Sequence, residues 1–225
     1  MSNAFKAADI LLPHNIEMEK WSVVACDQYT SEPEYWEKTE QIVGNAHSTL
    51  RLILPEVYLE SDNVDARIAD IHKNMDKYLA DNIFDEYRNA MIYVERTTAD
   101  GIRAGIVGAI DLEEYDYRKG SKSSVRATEA TVVERIPPRI KVRNGAPLEL
   151  PHIMILIDDA KRTVIEKLSA KKDQLKKLYD FELMQGGGHI AGYLLGEGDI
   201  AEVTAALDAL GNADEFNPKY GLKNE

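Results

Sequence analysis

The chain has 225 residues, of which 44% are hydrophobic and 29% charged, and these proportions are ordinary for a globular protein of one large domain or two small ones. Its net charge of −12 argues against nucleic acid or an anionic membrane surface as the main partner, because both carry the same sign of charge. The one cysteine, Cys26, excludes an intramolecular disulfide and a cysteine zinc cluster. The sequence has neither a signal-like opening nor an apolar run long enough to span a bilayer, so we expect a cytoplasmic protein.

The first predicted strand, residues 21–25, leads directly into a group of polar residues. The run WSVVA is short, apolar and β-branched, and it is followed by Cys26, Asp27 and Gln28. Polar side chains at the carboxyl end of a buried strand are a common active-site position. A lone cysteine is more often a small core residue than a nucleophile, and no base for it is recognisable. Asp27 is therefore the better catalytic candidate.

Two helices and a second strand are predicted next. Residues 33–43 open with a proline and are followed by Gly44, which are a start signal and a stop signal for a helix. The apolar run 50–54 predicts a strand that stops at Pro55. Residues 63–82 carry apolar side chains at three- and four-residue spacings, and this pattern indicates an amphipathic helix.

A hairpin is predicted after these helices, with strands over residues 90–98 and 101–112. Asp100 and Gly101 lie at the junction of these two β-rich runs. An Asp-Gly pair in that position is the strongest short-range hairpin signal.

Residues 118–143 form the main candidate binding segment. They hold eight Lys or Arg residues and two Glu residues, so the segment has a charge of +6 within a chain of −12. An arginine guanidinium grips phosphate or carboxylate through two parallel hydrogen bonds, so the first hypothesis is a site for a compact anion. The alternative is a solvated loop whose arginines pair with Asp and Glu residues elsewhere in the chain.

A short helix is predicted within this segment from Thr128, with Thr128 or Thr131 as its cap. We expect it to break at Pro137 and Pro138, after which residues 139–143 restart a turn. Exposed N–H groups at helix starts close to several arginines would make an anion cradle. A Pro-Pro break is also consistent with an ordinary bent linker.

Residues 151–159 (PHIMILIDD) predict an apolar strand that ends in two carboxylates. Asp158 and Asp159 are candidates for binding Mg²⁺, or one of them caps a following helix. The lysine-rich residues 170–178 predict an exposed helix.

Three consecutive glycines, residues 186–188, separate two further predicted strands, 181–185 and 189–195. Three glycines are more than a tight hairpin turn requires, and they would let the backbone approach a ligand closely, with His189 beside it. The alternative is a flexible loop. The spacing matches neither a Walker loop nor a dinucleotide-binding fingerprint.

The chain is predicted to close with an amphipathic helix over residues 200–210 and a polar tail or linker over residues 212–225. The uneven alternation of strands and helices, with two hairpins, indicates an α/β or α+β fold: a mixed sheet with hairpins and flanking helices. We expect a single α/β domain over residues 1–211.

Several of these stretches together resemble the family called domain of unknown function 1015, in particular its clostridial-type members. The matching stretches are WSVVACDQYTSEPEYW, STLRLILPEVYLE, GAIDLEEYDYRKGSKSSVRATEATVVERIPPR, APLELPHIMILIDD and YDFELMQGGGHIAGYLL. The family looks related to ParB and sulfiredoxin-like proteins, a group that includes free-serine kinases, and the resemblance implies phosphoserine metabolism with pyrophosphate as a candidate donor.

Members of that family normally continue into a region with an Asp-Gly-(Asn or His)-His motif, which touches phosphates in the kinase relatives. This chain holds no such motif. The resemblance therefore implies that the chain is an N-terminal portion of the family architecture, and that by itself it is inactive or nearly so.

The leading hypothesis is small-molecule phosphotransfer, as in a free-serine kinase that uses pyrophosphate or a nucleotide. Asp27 or Glu129 would accept the proton of the substrate hydroxyl, and Mg²⁺ is expected, held by Asp27 or Asp158. The alternative is a non-catalytic sensor of an anionic metabolite that uses the same arginines. In both cases the expected partner is a small anion (phosphate, pyrophosphate or an amino acid), without nucleic acid or membrane. The residues assigned to substrate and phosphate binding are Gln28, Arg126, Thr128, Arg135, Arg139, Arg143, Gly186, Gly187, Gly188 and His189.

Overall fold

The computed structural model describes residues 4–116, 118, 123–125, 132–150 and 152–211. Six α-helices lie in this described part of the chain: α1 (Met18–Trp21), α2 (Pro33–Val43), α3 (Val64–Ala80), α4 (Ile136–Arg143), α5 (Ile165–Lys171) and α6 (Glu197–Leu210). The strands described there are β1 (Phe5–Lys6), β2 (Ala8–Pro13), β3 (Phe84–Ala90), β4 (Ile92–Thr98), β5 (Gly101–Val107), β6 (Ala109–Ile110), β7 (Lys176–Leu183) and β8 (Gly188–Leu194). Within these residues, no helix has the length and apolar character needed to cross a membrane.

The largest sheet has four strands in the order β5-β4-β8-β7. In its first hairpin Thr98 pairs with Gly101, and in its second Leu183 pairs with Gly188. The hairpins join where β4 pairs with β8. Two smaller sheets pair β1 with β6 and β2 with β3, and every strand pair in the described residues is antiparallel. The predicted α+β fold with hairpins and flanking helices is confirmed.

Three clusters of buried side chains hold these elements together. The first packs the apolar face of α3 against Trp21. The second packs α5 and α6 against the four-stranded sheet through Leu168 and Val203. The third surrounds Trp36 of α2, and the half-buried Cys26 packs against it. The segment that contains Cys26 is therefore anchored on α2.

Several elements predicted from the sequence are confirmed. Helix α2 has the predicted bounds, and α3 lies inside the predicted range 63–82. The hairpin at Asp100 and Gly101 and the hairpin at the three glycines both form. Helix α6 covers the predicted closing helix and buries Val203. The predicted tail, residues 212–225, lies outside the described residues.

The strands predicted at residues 21–25 and 50–54 are wrong. Trp21 ends α1, and its carbonyl oxygen accepts hydrogen bonds from the hydroxyls of Ser48 (3.2 Å) and Thr49 (2.8 Å) rather than from a neighbouring strand. Residues 50–54 lie partly in a 3₁₀ turn, and their four apolar side chains are buried. A short apolar run predicts burial, but it does not distinguish a strand from an irregular buried segment.

The strand predicted at residues 151–159 is also wrong. Residues 152–159 form neither helix nor strand, and Pro151 lies outside the described residues. The five apolar side chains of residues 153–157 are exposed. An extended apolar run becomes a strand only when a partner backbone satisfies its N–H and C=O groups.

The exposed helix predicted at residues 170–178 is wrong over most of its length. Helix α5 ends at Lys171, a 3₁₀ turn follows, and β7 begins at Lys176. Strand β7 is at the edge of the sheet, where exposed lysines discourage pairing with another chain. Exposed lysines are therefore equally compatible with an edge strand and with a helix surface.

Pro137 and Pro138 lie in the first turn of α4 and do not break a helix. In a first turn the missing proline N–H would have no intrahelical partner, so proline is well tolerated there. The predicted break is therefore wrong, although α4 ends at Asn144 as expected. The helix predicted from Thr128 begins in residues that the structure does not describe.

Candidate functional site

The arginine segment meets the rest of the protein at the buried carboxylate of Glu56. Arg135 lies directly before α4 and Arg139 four residues later, a spacing that places both side chains on one helix face. Arg135 Nη1 donates to Glu56 Oε2 at 2.8 Å, and Arg139 Nε donates to Glu56 Oε1 at 3.0 Å. Arg139 Nη2 donates to the same Oε1. Two guanidinium groups therefore share one carboxylate.

Burial differs sharply across this Glu56 cluster. The Glu56 side chain is 3% exposed, whereas the side chains of Arg135 and Arg139 are 43% and 44% exposed. The bonds to Glu56 use one N–H of Arg135 and two of Arg139, out of five on each guanidinium. The hydrogen bonds to Glu56 raise the pKa of Arg139 above its ordinary value. Two positive groups and one negative group give the cluster a charge of +1, and Glu56 uses only some of the arginine donors.

Glu56 is positioned through its own backbone. It opens the 3₁₀ turn Glu56–Tyr58 directly after Pro55, and its N–H donates to the carbonyl oxygen of Cys26 at 2.8 Å. A buried carboxylate costs several kcal/mol unless it is paired, and the two arginines supply that pairing. The cluster is therefore tied to the segment that contains Cys26 and Asp27.

Asp27 lies at the edge of this cluster, exposed to solvent, after the half-buried Cys26. Burial first, and then the charges of Asp27 and Glu56, raise the pKa of the Cys26 thiol to about 11, so Cys26 is a poor nucleophile near neutral pH. The charge of Asp27 also helps to raise the pKa of Arg139, which places the two groups within electrostatic reach. Gln28 Nε2 donates to Asp27 Oδ1 at 3.4 Å. The structure thus brings Asp27, to which Gln28 is hydrogen-bonded, within electrostatic reach of Arg139.

Of the other assigned residues in the arginine segment, the structure describes Arg143, which forms a separate ion pair. Arg143 Nη2 lies 2.7 Å from Glu149 Oε1, an ion pair of the kind that the alternative interpretation of this segment expects. Arg126, Thr128 and Glu129 lie outside the described residues.

The glycine turn at residues 186–188 engages its backbone within the protein. Arg96 donates to the carbonyl oxygen of Gly187 through Nε at 3.0 Å and Nη2 at 2.7 Å. Gly188 has a φ of +90°, and a Cβ at this position would lie 2.1 Å from the carbonyl oxygen of Thr97. The three glycines predicted a close approach of the backbone. At Gly188 the backbone makes this approach to strand β4.

Tyr29 and Tyr35 stack face to face where the segment after Asp27 meets α2. Their ring centroids are 3.8 Å apart with 9° between the planes. Tyr29 has a φ of +51°, and Gln185, directly before the glycine turn, has a φ of +55°. These values are uncommon for residues other than glycine and asparagine. Gln185 Nε2 donates to Thr39 Oγ1 of α2 at 2.7 Å. Both strained segments therefore converge on α2, and strain of this kind is concentrated at functional sites.

The remaining predicted residues lie elsewhere or have local partners. His189 Nε2 lies 2.6 Å from Asp180 Oδ1. Asp159 accepts the N–H groups of Thr163 and Val164 in the turn before α5, but the N-cap position of that helix is Val164 and it has no side-chain cap, so the predicted capping role is not seen for Asp159. Asp158 is half-buried. In the part of the chain that the structure describes, no three His, Cys, Asp or Glu side chains are grouped to hold a metal ion.

Sequence reasoning missed Glu56, Tyr35 and Arg96. Each is a single residue without a motif, and the partners of Glu56 are 79 and 83 residues away along the chain. One signal was present for Glu56: it is a charged residue that follows the apolar run 50–54 and Pro55. An apolar run predicts burial, and a buried charge requires a partner.

Comparison with known proteins gives one match. The model of a family described as "Protein of unknown function (DUF1015)" matches residues 8–214. No curated protein and no solved structure matches the chain significantly.

Proposed function

We propose that this chain, which belongs to the DUF1015 family, binds a compact phosphate-bearing anion as part of a small-molecule phosphotransferase. The observation that carries the proposal is the pair of half-exposed guanidinium groups fixed on one buried carboxylate beside Asp27. The acceptor and donor classes, a free serine hydroxyl with pyrophosphate or a nucleotide, come from the resemblance to free-serine kinases.

The Glu56 cluster supports anion binding because its arginines are already ordered. A flexible arginine gives up side-chain entropy when it binds a ligand, and Glu56 removes part of this cost by holding Arg135 and Arg139 in place. Phosphoryl transfer depends on positioning and on neutralising the phosphate oxygens more than on covalent chemistry by the protein. The charge of +1 on the cluster and the arginine donors that Glu56 does not use suit that task.

Asp27 is the described residue best placed to act as the general base. Its carboxylate is exposed and within electrostatic reach of Arg139. In the proposed reaction the acceptor hydroxyl oxygen bonds to phosphorus and its proton passes to Asp27. The bond from phosphorus to the leaving oxygen breaks, and the leaving oxygen keeps the electron pair. Mg²⁺ bound to the donor phosphates would neutralise their charge, which leaves the Asp27 carboxylate available as the base.

The test is incubation of the full-length protein with serine, Mg²⁺ and either pyrophosphate or a nucleotide, with detection of phosphoserine. Asp27→Asn should abolish turnover while the affinity for pyrophosphate changes little, because the substitution removes the base and keeps the side chain's shape. Asp76→Asn, on the exposed face of α3, is the matched control and should retain full turnover. Absence of phosphoserine with every donor would refute catalysis.

The second candidate is a sensor that binds the same anion without turning it over. The ion pairs already formed by Arg135, Arg139 and Arg143 favour it, because an exchange of internal carboxylate for ligand is itself a switch. In this case pyrophosphate or phosphoserine binds the unmodified chain, and no phosphoserine forms.

A further inference from the structure

Residues 153–157 expose five large apolar side chains in succession. The exposed fractions are 66% for Ile153, 81% for Met154, 45% for Ile155, 81% for Leu156 and 41% for Ile157. Soluble chains avoid exposed runs of more than three or four apolar residues unless the run has a function. In the described residues this segment forms neither helix nor strand, so its backbone is not part of a ladder. The segment therefore has the apolar composition of a buried strand, but its side chains are exposed.

We infer that residues 152–158 are a self-association strand, which pairs antiparallel with the same residues of a second copy of this chain. The sequence is self-complementary about Ile155, as a two-fold interface requires. In the register centred there, the opposing pairs are Ile155 with Ile155, Met154 with Leu156, Ile153 with Ile157 and His152 with Asp158.

The two ends of the strand decide its direction. In the antiparallel register the imidazole of His152 lies opposite the carboxylate of Asp158, so a hydrogen-bond donor meets an acceptor at both ends. In a parallel register Asp158 would lie opposite Asp158, and like charges directly opposite each other are unfavourable. The apolar centre is compatible with either direction, so the ends favour the antiparallel one.

The area of the self-association strand indicates a reversible dimer rather than an obligate one. A fully exposed Leu, Ile or Met side chain presents apolar area on the order of 100 Å², so the five side chains present roughly 300 Å² per copy. A standard interface buries about 800 Å² per partner. The charge of −12 on each copy adds repulsion, which salt screens. We therefore expect weak, reversible association whose dissociation constant falls as salt concentration rises.

The first experiment measures the mass of the chain by sedimentation velocity over a concentration series. A monomer–dimer equilibrium is expected, and the double variant Met154→Lys, Leu156→Lys should raise its dissociation constant at least tenfold, because each lysine would face its counterpart's lysine. Ile102→Lys is the matched control, since Ile102 is 66% exposed on β5 and should leave the equilibrium unchanged. Circular dichroism of each variant confirms that it folds.

The second experiment tests the register with single cysteines. Only residue 155 faces its own copy, at a Cα separation of about 4.5–5.5 Å that a disulfide can bridge. Ile155→Cys should form an intermolecular disulfide at least ten times faster than Ile153→Cys, whose counterpart lies opposite residue 157. The unmodified chain shows the background from Cys26, which is small because burial raises the pKa of its thiol.

A monomer at every concentration overturns the inference and leaves a different polypeptide as the partner of this segment. Dimerisation that the two lysines do not weaken, or equal disulfide rates at positions 153 and 155, overturns it as well.

Discussion

The Glu56 carboxylate, 3% exposed, accepts two hydrogen bonds from the half-exposed guanidinium of Arg139. This contact joins the arginine segment to the core, so its loss should be measurable as stability. Glu56→Ala should lower the free energy of unfolding by about 2 kcal/mol, because charge-assisted hydrogen bonds contribute more than neutral ones and the arginines lose their acceptor. Urea denaturation measures this change. Glu86→Ala, which removes an exposed pair with Arg88, is the control and should change it by less than about 0.5 kcal/mol. Equal losses in both variants would show that the Glu56 cluster contributes no more than a surface pair.

The Cys26 thiol should react slowly in the folded protein. Burial raises its pKa from the ordinary 9.0 to about 11, so at pH 8 the thiolate population falls about 100-fold. Alkylation by iodoacetamide should be slower by about that factor in the native chain than in the same chain in urea. The native rate should rise about tenfold per pH unit up to pH 10. A native rate equal to the denatured one would contradict the burial of this thiol.

The sequence predicted long periodic elements well and short apolar runs poorly. Helix α3 repeats its apolar pattern over several turns, so the period identifies it without tertiary information. Residues 50–54 carry an equally strong apolar signal, but the run is too short to show a period. Tertiary contacts fix the conformation of this segment. The Ser48 N–H donates to the Tyr78 hydroxyl of α3, and the Ser48 hydroxyl donates to the Trp21 carbonyl oxygen.

The candidate site, too, was predicted only in part from the sequence. Arg135 and Arg139 stood out because their spacing and the local charge are visible in the sequence. Glu56 did not, since the burial of one carboxylate depends on two partners about 80 residues away. The contact that organises the site is long-range, and no pattern within a single chain segment encodes it.

The two glycines Gly188 and Gly105 should respond differently to alanine. Gly188 has a φ of +90°, and its added Cβ would lie 2.1 Å from the Thr97 carbonyl oxygen, so Gly188→Ala should destabilise the protein by at least about 2 kcal/mol. Gly105 lies on β5 with no atom within 4 Å of an added Cβ, and Gly105→Ala should have little effect. Thermal and urea denaturation of the two variants measure these changes in stability. A tolerated Gly188→Ala would show that the hairpin can shift away from β4.

Glu95 should make the stability of the sheet sensitive to acid. Its side chain is largely buried, and it accepts hydrogen bonds from Tyr93 (2.6 Å), Ser169 (3.2 Å) and Lys172 (2.5 Å). Burial alone would raise the pKa of Glu95, but these bonds, led by that of Lys172, lower it overall below its ordinary 4.5. A lowered pKa means that the unfolded chain takes up the proton more readily, so the stabilisation is fully present above the unfolded pKa and is lost as pH falls through the folded one.

The unmodified chain should therefore exceed Glu95→Gln in free energy of unfolding by a constant amount from about pH 5.5 to pH 8, and this difference should shrink as pH falls below about 4.5. The raised pKa of Lys172 does not alter this window, because its contribution is lost only as pH rises through that value, far above neutrality. Glu86→Gln is the control, since its carboxylate lies in an exposed pair, and its difference from the unmodified chain should stay small throughout. Urea denaturation at a series of pH values gives both curves. If the Glu95→Gln difference were flat or grew on acidification, the carboxylate would not be held ionised by Lys172, and the network would owe its stability to packing around Tyr93 instead.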